Sequence, residues 1–457
     1  MNEMTKFKHD LLLRIVKVLD AALITIPFAL CWYLYYAERI YSPFYSKGNI
    51  LVVALFFVAY ITFGRIYDAF RMSMQRVSEV IYAQFLAAGA SDLLMYVVIW
   101  LLTKHLPNIL PGVAALVGQI LLAVVWAFGA NKWYFSTFPP QETAVIYDVR
   151  HGMEKLISQY GMDNKYKVVL TASAEECLND LSMLNGIKVV FLGGIHSHDR
   201  NIILKYCISN SINVFVIPRI GDTILSGARS IHMFHLPMLQ VSRYSAQPEY
   251  LFMKRAIDIV VSLIAAIILS PVFLITAIAI KATDHGPIFY KQVRLTKDGK
   301  EFKILKFRSM RVDAEKDGVA RLSTGENDNR ITSVGKIIRA CRVDELPQLF
   351  NILKGDLSIV GPRPERPELA EEIEEEIPEF CYRLKMKAGL TGYAQVYGKY
   401  NTTSYDKLKL DLTYIRNYSL LLDLKLMLMT PKIMMLKEST EGVADNGNAS
   451  DSRHPGV

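Results

Sequence analysis

Cysteine is scarce in this chain, and its five residues never take the C-x-x-C spacing of a metal or redox site. They lie at Cys31, Cys177, Cys207, Cys341 and Cys381. A scattered, odd set of cysteines excludes a disulfide framework and a cysteine zinc site, and it favours a reduced compartment. We also expect no cleavable signal peptide. The first apolar stretch is too long and has no small-residue cleavage site, so we expect it to remain as an anchor.

Charged residues are few as well, at 21% of the chain against 51% hydrophobic residues, and the mean hydropathy is +0.21. That hydropathy is high for a protein without membrane contact. The charges sum to +8, with a pI near 9.0, which suits an anionic membrane face or ligands that carry phosphate. Nucleic acid is the rival explanation, but the sequence has no helix-turn-helix, zinc or RNP pattern, so we expect no nucleic-acid partner.

Residues 1–136 contain long apolar runs and predict a transmembrane module of four helices. The runs are Leu12–Tyr36, Ile50–Gly64, Ile81–Thr103 and Ile109–Phe128, of which the second is the shortest. A spanning helix needs about 20 largely apolar residues. Lys and Arg flank the two ends of the module and fill its middle loop, so the positive-inside rule puts both ends in the cytoplasm. No charge cluster within the runs indicates a transport path, and we interpret the module as an anchor.

Residues 137–245 alternate short β-rich runs with helical ones and predict a small parallel α/β domain of Rossmann-like type. The β-rich runs are Thr143–Tyr147, Lys167–Leu170, Lys188–Leu192 and Asn213–Ile217. Dinucleotide-binding domains of this class carry G-x-G-x-x-G after the first strand. The turn from Tyr147 to Gly152 lacks those glycines, so we expect a degenerate domain with a structural or regulatory role.

A fifth apolar segment, Ile257–Ala282, predicts a broken membrane helix over residues 250–283. It is long enough to span a membrane, but Ser270 and Pro271 interrupt its centre. Proline removes a backbone hydrogen bond and clashes with the preceding turn, and serine can bond a carbonyl that is freed. Basic residues flank both ends, so charge alone leaves a spanning and a re-entrant helix both open.

Residues 284–438 are of mixed character and predict an α/β domain outside the membrane, whereas the polar tail, 439–457, is expected to be disordered. Alternating apolar and polar residues over 302–310 predict a strand with Lys306 and Arg308 on one face. Two cations on one face suit a diphosphate, but they are equally well explained as ordinary surface charges.

An acidic pair, Asp344 and Glu345, follows Arg339 and Arg342 and has two interpretations. The carboxylates could form ordinary ion pairs at a helix start, where the helix dipole favours acidic residues. Alternatively, one carboxylate attacks phosphorus and forms an acyl phosphate, while both hold Mg²⁺, which neutralises diphosphate charge. An Asp-Glu pair by itself leaves both interpretations open.

A third cluster fixes Arg363 between Pro362 and Pro364. Such a rigid turn lowers the entropy that is lost when the arginine binds phosphate. The order of these motifs resembles the bacterial sugar transferases, the monotopic phosphoglycosyl transferases of polyprenyl phosphate. The order is Ser-Pro at 270–271, KFRSM at 306–310, DELPQ at 344–348, GDLS at 355–358, GPRP at 361–364, GLTG at 389–392 and QV at 395–396.

The resemblance covers about Lys254–Lys437, and the four N-terminal helices with the α/β domain are similar to the large subgroup that initiates capsule, O-antigen and exopolysaccharide synthesis. It implies that Asp344 is the nucleophile, which takes sugar phosphate from a UDP-sugar, forms a covalent intermediate and releases UMP. Glu345 is implied as the partner of Asp344, with Mg²⁺ and in the second half-reaction. The implied phosphate and nucleotide contacts are Lys306, Arg308, Arg339 and Arg363, to which we add Arg342.

The implied partners are a UDP-sugar donor and a polyprenyl (undecaprenyl) phosphate acceptor, and we also consider a homodimer. Nucleotide sugars are cytosolic, so a helix re-entrant at Ser270 and Pro271 keeps Asp344 at the cytoplasmic face of the bacterial inner membrane. The lipid carrier then needs no extraction, which would cost about 0.8 kcal/mol per buried CH₂. Two alternatives are a non-catalytic scaffold or regulator of an envelope polysaccharide complex, and an enzyme of direct displacement. Ping-pong kinetics belong to the covalent route.

Overall fold

The computed structural model describes residues 3–148, 150, 152–241, 246–311, 330–398 and 402–434. The tail predicted over 439–457 lies outside the described residues. The chain forms two compact units, Met1–Ile217 and Pro218–Val457.

The first unit begins with four helices that are each long and apolar enough to cross a membrane. They are α1 (Glu3–Cys31), which continues as a π-helical turn over Trp32–Tyr36, α2 (Ser46–Ile66), α3 (Val77–Leu102) and α4 (Leu110–Thr137). Helix α2 extends its short apolar run at both ends and reaches 21 residues. The prediction of four helices of spanning length is therefore confirmed.

Two carboxyl side chains lie among these helices, and the apolar pattern alone did not reveal their partners. Asp20 of α1 is fully buried, and the Gln84 amide of α3 donates to both of its carboxylate oxygens, at 3.1 and 3.0 Å. The Gln119 amide of α4 donates to Asp92 of α3 at 3.3 Å. Hydrogen bonds between helices stabilise packing in a medium where water does not compete. These bonds join α3 to both α1 and α4.

A parallel sheet of four strands follows, in the order β2-β1-β3-β4. The elements are β1 (Gln141–Tyr147), α5 (Met153–Gln159), β2 (Tyr166–Ser173), α6 (Ala174–Asn179), β3 (Val189–Gly193), α7 (Ser197–Ser209) and β4 (Asn213–Val216). Alternate residues of β1 enter two separate cores, Ala144 and Ile146 on one face and Val145 on the other. The predicted parallel α/β domain is confirmed.

The second unit opens with α8 (Ile220–Ser226) and a hairpin of β5 (Arg229–Met233) and β6 (Leu236–Gln240). Two apolar helices come next, α9 (Pro248–Ile268) and α10 (Ser270–Asp284), and they meet at a bend of 61°. The bend lies where Ser270 and Pro271 predicted a break. The Ser270 hydroxyl donates to the Ile267 carbonyl at 2.7 Å, and this is the carbonyl that Pro271, without an N–H, leaves unbonded.

The remainder of this unit is a mixed α/β region. An antiparallel pair, β7 (Phe289–Leu295) and β8 (Glu301–Phe307), is followed by α11 (Ser333–Ala340), a 3₁₀ turn (Val343–Glu345) and α12 (Gln348–Lys354). Then come β9 (Ser358–Val360), α13 (Pro367–Glu376), a 3₁₀ helix (Pro378–Lys385), β10 (Gly389–Thr391), α14 (Tyr393–Tyr397), α15 (Ser404–Arg416) and α16 (Leu420–Met434). Strands β9 and β10 pair in parallel.

The strand predicted over 302–310 is shorter than expected, because β8 ends at Phe307. Its partner β7 begins at Phe289, opposite Phe307, and a bond from the Arg308 N–H to the Ile288 carbonyl, at 2.9 Å, lies just beyond the paired strands. Lys306 therefore lies in the strand, whereas Arg308 lies one residue beyond it. Met310 instead forms a single bridge with Ile331.

Candidate active site

The site is built on α9, whose buried face carries polar side chains at every fourth position. The Lys254 ammonium contacts the Asp423 carboxylate of α16 at 2.8 Å, and both side chains are buried. One turn later, the Asp258 carboxylate accepts from the Ser358 hydroxyl at 2.8 Å. The buried ion pair of Lys254 and Asp423 needs further hydrogen bonds to be tolerated. The Tyr250 hydroxyl supplies one to Asp423 at 2.8 Å. Helix α9 is thus part of the core of the mixed α/β region.

Arg255 of α9 orients α12, the helix that follows the acidic pair. Its guanidinium donates to the carbonyls of Ile352 and Leu353, at 2.6 and 2.8 Å. The last carbonyls of a helix have no partner within it, and a cation there also complements the helix dipole. Gly355 ends α12 with φ at 101°, a backbone conformation that favours glycine. The motif Gly355–Ser358 therefore turns the chain from α12 into β9.

Asp344 and Glu345 lie on the short 3₁₀ turn between α11 and α12. Arg342, immediately before the turn, has φ at 56° and ψ at 18°, in the left-handed region. This conformation costs a residue with a Cβ about 1–2 kcal/mol, so the surrounding packing must hold it in place. Asp344 is buried, with 9% of its surface exposed. The acidic pair is therefore on a constrained turn and not at the start of a regular helix.

Lys306 and Arg363 converge on one oxygen of Glu345. The Lys306 ammonium of β8 lies 2.7 Å from Glu345 Oε1, and the Arg363 guanidinium lies 3.4 Å from the same atom. Three motifs separated in sequence thus meet at a single carboxylate. Arg363 is also 42% exposed at its side chain, so its guanidinium reaches both the carboxylate and the solvent.

The two adjacent carboxyls have opposite pKa shifts. Burial raises the pKa of Asp344, and the negative charge of Glu345 raises it further, against the charges of Lys306, Arg339 and Arg342. Burial also opposes ionisation of Glu345, but Lys306 and Arg363 outweigh it and hold the pKa of Glu345 well below its usual range. Glu345 is therefore held in its ionised form, whereas burial disfavours the charged form of Asp344.

The other predicted cations are Arg308, Arg339 and Arg342, and they differ in their positions. Arg339, in the last turn of α11, and Arg342 act on Asp344 through their charge. Arg308 is buried beyond the end of β8, with 8% of its surface exposed. Substrate binding by Arg308, Arg339 and Arg342 stays a prediction.

Two arginines that the sequence did not single out, the buried Arg383 and the partly buried Arg294, hold the turn of Arg363. The Arg383 guanidinium donates to the Arg363 carbonyl at 2.9 Å, and Arg294 donates to the Pro364 carbonyl at 3.1 Å. Arg383 also forms an ion pair with the fully buried Asp411 at 2.7 Å. The turn that carries Arg363 is therefore held by these two arginines as well as by the rings of Pro362 and Pro364.

Close contact between backbones accounts for the glycines of two motifs. A Cβ on Gly361 would meet the Lys387 carbonyl oxygen, and one on Gly389 or Gly392 would meet the backbone of Gly361. These glycines therefore let β9 and β10 lie side by side beneath the Arg363 turn.

The acidic pair fits Mg²⁺ by its donor set. Mg²⁺ is usually held by one or two carboxylates together with substrate phosphates, rather than by an all-protein cage. Asp344 and Glu345 supply two adjacent carboxylates, and among the described residues no group of three or more His, Cys, Asp or Glu side chains is placed to hold a metal. This arrangement suits an ion that arrives with a diphosphate.

Comparison with known proteins shows to which family this architecture belongs. The profile of the family described as bacterial sugar transferase matches residues 249–437. The galactosyl transferase CpsE of Streptococcus agalactiae is 32% identical over 342 residues, which cover 67% of this chain and 74% of that relative. The chain belongs to the bacterial sugar transferase family. In this bacterial sugar transferase, the matched region contains the bent helix pair and the whole acidic site.

Two further relatives of this bacterial sugar transferase have more specific names. The UDP-N-acetylgalactosamine-undecaprenyl-phosphate N-acetylgalactosaminephosphotransferase of Aeromonas hydrophila is 39% identical over 235 residues, 51% of this chain and 54% of the relative. The UDP-glucose:undecaprenyl-phosphate glucose-1-phosphate transferase of Klebsiella pneumoniae is 43% identical over 182 residues, 39% of each chain. The chain thus spans about half the length of the first relative and about two fifths of the second.

Proposed function

We propose that this protein transfers a sugar 1-phosphate from a UDP-sugar to undecaprenyl phosphate and releases UMP, as the initiating step of exopolysaccharide, capsule or O-antigen synthesis. The observation that carries the proposal is the convergence of Lys306 and Arg363 on Glu345, beside the buried Asp344. Such a cluster suits a diphosphate, whose charge the cations complement. Both named relatives act with a UDP-sugar and undecaprenyl phosphate, according to their names.

In the first step, a carboxylate oxygen of Asp344 attacks the phosphorus that carries the sugar. The anhydride bond between the two phosphorus atoms breaks, its bridging oxygen leaves with UMP, and the sugar phosphate remains on Asp344 as an acyl phosphate. Burial, which raises the pKa of Asp344, leaves the ionised carboxylate poorly solvated and therefore more nucleophilic. Arg339 and Arg342 oppose that rise and help to keep Asp344 ionised.

In the second step, a phosphate oxygen of undecaprenyl phosphate attacks the same phosphorus. The acyl-phosphate bond breaks, Asp344 returns to a carboxylate, and the sugar is left on a lipid diphosphate. Glu345 remains ionised throughout and holds Lys306 and Arg363 in place for the phosphate oxygens. Mg²⁺, which Asp344 and Glu345 would hold, supplies neutralisation of the diphosphate charge when it is bound.

We place Asp344 at the cytoplasmic face of the inner membrane, with α9 and α10 as a re-entrant helix pair. The bend of 61° supports this placement, because it lets the chain enter and leave the membrane on one side. Ile268 and Leu274, on either side of the bend, are 69% and 63% exposed, as lipid contact requires. UDP-sugars are available on the cytoplasmic side only.

The test is intact mass spectrometry of the full chain in nanodiscs after incubation with Mg²⁺ and a panel of UDP-sugars, without lipid. We expect a mass gain of one sugar phosphate, which identifies the donor, and its loss in Asp344→Asn. Asp356→Asn is the matched control, because Asp356 forms its ion pair with Lys354, away from the acidic turn. UMP release only after addition of undecaprenyl phosphate, with no adduct, would establish direct displacement instead. Neither adduct nor turnover with any donor would favour a scaffold.

A further inference from the structure

Asn351 lies on α12, six residues after Glu345, and its amide is bonded to the backbone of β8. Its carbonyl oxygen accepts from the Leu305 N–H at 2.9 Å, and its NH₂ group donates to the Lys303 carbonyl at 2.9 Å. The residue is buried, with 6% of its surface exposed. Both bonds are partly shielded from water by the buried amide, and losing either would leave a backbone group of β8 without this partner.

These bonds serve the edge of β8 that faces away from β7. Among the described residues, β8 pairs with β7 alone, in a two-stranded sheet. Residues two apart in a strand direct their backbone groups to the same edge, so Lys303 and Leu305 present one acceptor and one donor together. A primary amide is the side chain that matches this pair, because it carries one carbonyl and one NH₂ group. Asn351 thus makes the two hydrogen bonds to β8 that a neighbouring strand would make.

The position of the bonds links them to the acidic site. Lys306 directly follows Leu305, and its ammonium lies 2.7 Å from Glu345. The Asn351 backbone carbonyl also accepts from the N–H groups of Gly355 and Asp356, at 3.0 and 3.1 Å. One residue therefore holds the strand that carries Lys306 and the turn that leads through β9 towards Arg363.

We propose that Asn351 is a positioning residue for sugar-phosphate transfer, which holds the edge of β8 that faces away from β7 and thereby keeps Lys306 against Glu345. This inference rests on the proposed function. According to this inference, Asn351 affects the reaction by positioning Lys306, and not only by stabilising the fold. A purely structural role would lower activity by the same factor whether or not Lys306 is present.

The test compares Asn351→Asp and Asn351→Ala with Leu426→Ala, using the full chain in nanodiscs. Asn351→Asp keeps the size of the side chain and an acceptor for Leu305 but has no donor for Lys303, so it leaves no cavity and is the second variant if Asn351→Ala does not fold. Leu426→Ala opens a cavity on α16, in the core cluster that also contains Ile304 of β8, and removes neither Asn351 bond, so it controls for lost stability. Hydrogen–deuterium exchange over 301–307 reports the edge of β8 directly.

The readout is the rate of adduct formation with UDP-glucose or UDP-N-acetylgalactosamine, whichever labels the unaltered protein. We expect a fall of roughly 10- to 100-fold in the Asn351 variants, with faster exchange over β8, since a misplacement of about 1 Å can cost that much. Leu426→Ala should lower the Tm and leave both quantities near their starting values. In a Lys306→Met background, the further loss from Asn351→Asp should be less than about twofold, because the two changes act on one contact.

Equal factors for Asn351→Asp in the unaltered and Lys306→Met backgrounds would overturn the inference. An unchanged rate despite faster exchange over β8 would overturn it as well. The proposed function fails separately, if the unaltered protein forms no adduct with any UDP-sugar.

Discussion

At the residue scale, the acidic turn gives two neighbouring carboxyls different environments. Asp344 is buried and has a raised pKa, whereas Glu345 is bonded to Lys306 and Arg363 and has a lowered one. Pairs of titratable groups whose pKa values are pushed apart can divide their tasks. This division is the one we expect if, as proposed, Asp344 is the nucleophile and Glu345 organises the cations.

Glu345→Gln should lower stability in a manner that depends on pH. A carboxyl whose folded pKa is depressed contributes stability above its unfolded pKa, about 4.3 for Glu, and loses that contribution as the pH falls towards the folded value. We expect a cost of about 1–3 kcal/mol from pH 5 to pH 8, which shrinks below about pH 4. Thermal unfolding in detergent measures it.

Glu375→Gln is the matched control for that experiment, because Glu375 is an exposed residue of α13. It should leave the Tm unchanged at every pH. A destabilisation by Glu345→Gln that stayed constant down to pH 3 would show that the ionised carboxylate is not what stabilises the turn.

At the scale of elements, β9 and β10 depend on backbone contact that side chains would prevent. Gly361→Ala should cost about 1–3 kcal/mol, because its Cβ would meet the Lys387 carbonyl oxygen and neither backbone can move away. Gly221→Ala on α8 is the control, since a Cβ there meets nothing within 4 Å. It should be neutral or stabilising by about 0.5–1 kcal/mol. A similar Tm for both variants would contradict the packing argument.

The bend between α9 and α10 leads to a prediction about the side of the membrane on which the acidic site lies. Replacing Ser270 and Pro271 together by leucine restores the backbone bond to the Ile267 carbonyl, so α9 and α10 can join into one helix long enough to span a membrane. Cys341 is exposed and reports where the site lies. We expect an impermeant maleimide to leave Cys341 unlabelled in intact spheroplasts of the unaltered protein and to label it in the double variant.

Cys341→Ser in each background is the control for labelling at the other cysteines. Labelling of Cys341 from outside in the unaltered protein would contradict the cytoplasmic placement of the site. If Cys341 remained unlabelled in both proteins, the Ser270-Pro271 break would not be what sets the topology.

At the scale of the whole molecule, the family match lies entirely within the second unit, Pro218–Val457. All the residues of the proposed transfer reaction lie there too. We therefore expect a chain of residues 218–457, purified with lipid, to form the sugar-phosphate adduct at a rate within about tenfold of the full chain, which is a difference of about 1.4 kcal/mol. Loss of the adduct in a truncated protein that remains folded by circular dichroism would give the first unit a part in catalysis.

Much of the architecture follows from local properties of the chain. The four spanning helices follow from the length and hydropathy of their runs, and the parallel sheet follows from the alternation of strands and helices. The bend at Ser270 and Pro271 follows from a missing N–H. The end of β8 could not be predicted in this way, because it depends on where β7 begins, on another segment.

The sequence by itself determined which residue types are available for phosphate chemistry and in what order, since Asp344, Glu345 and Arg363 stand in motifs that can be identified locally. Only the tertiary structure decided which of them meet. Lys306 and Arg363 bond to Glu345, while Asp344 remains buried beside them. Asn351, Arg383 and Asp411 were not recognised, because their partners are backbone or side-chain groups distant in sequence. Such contacts exist only once separate elements pack together, so no local pattern encodes them.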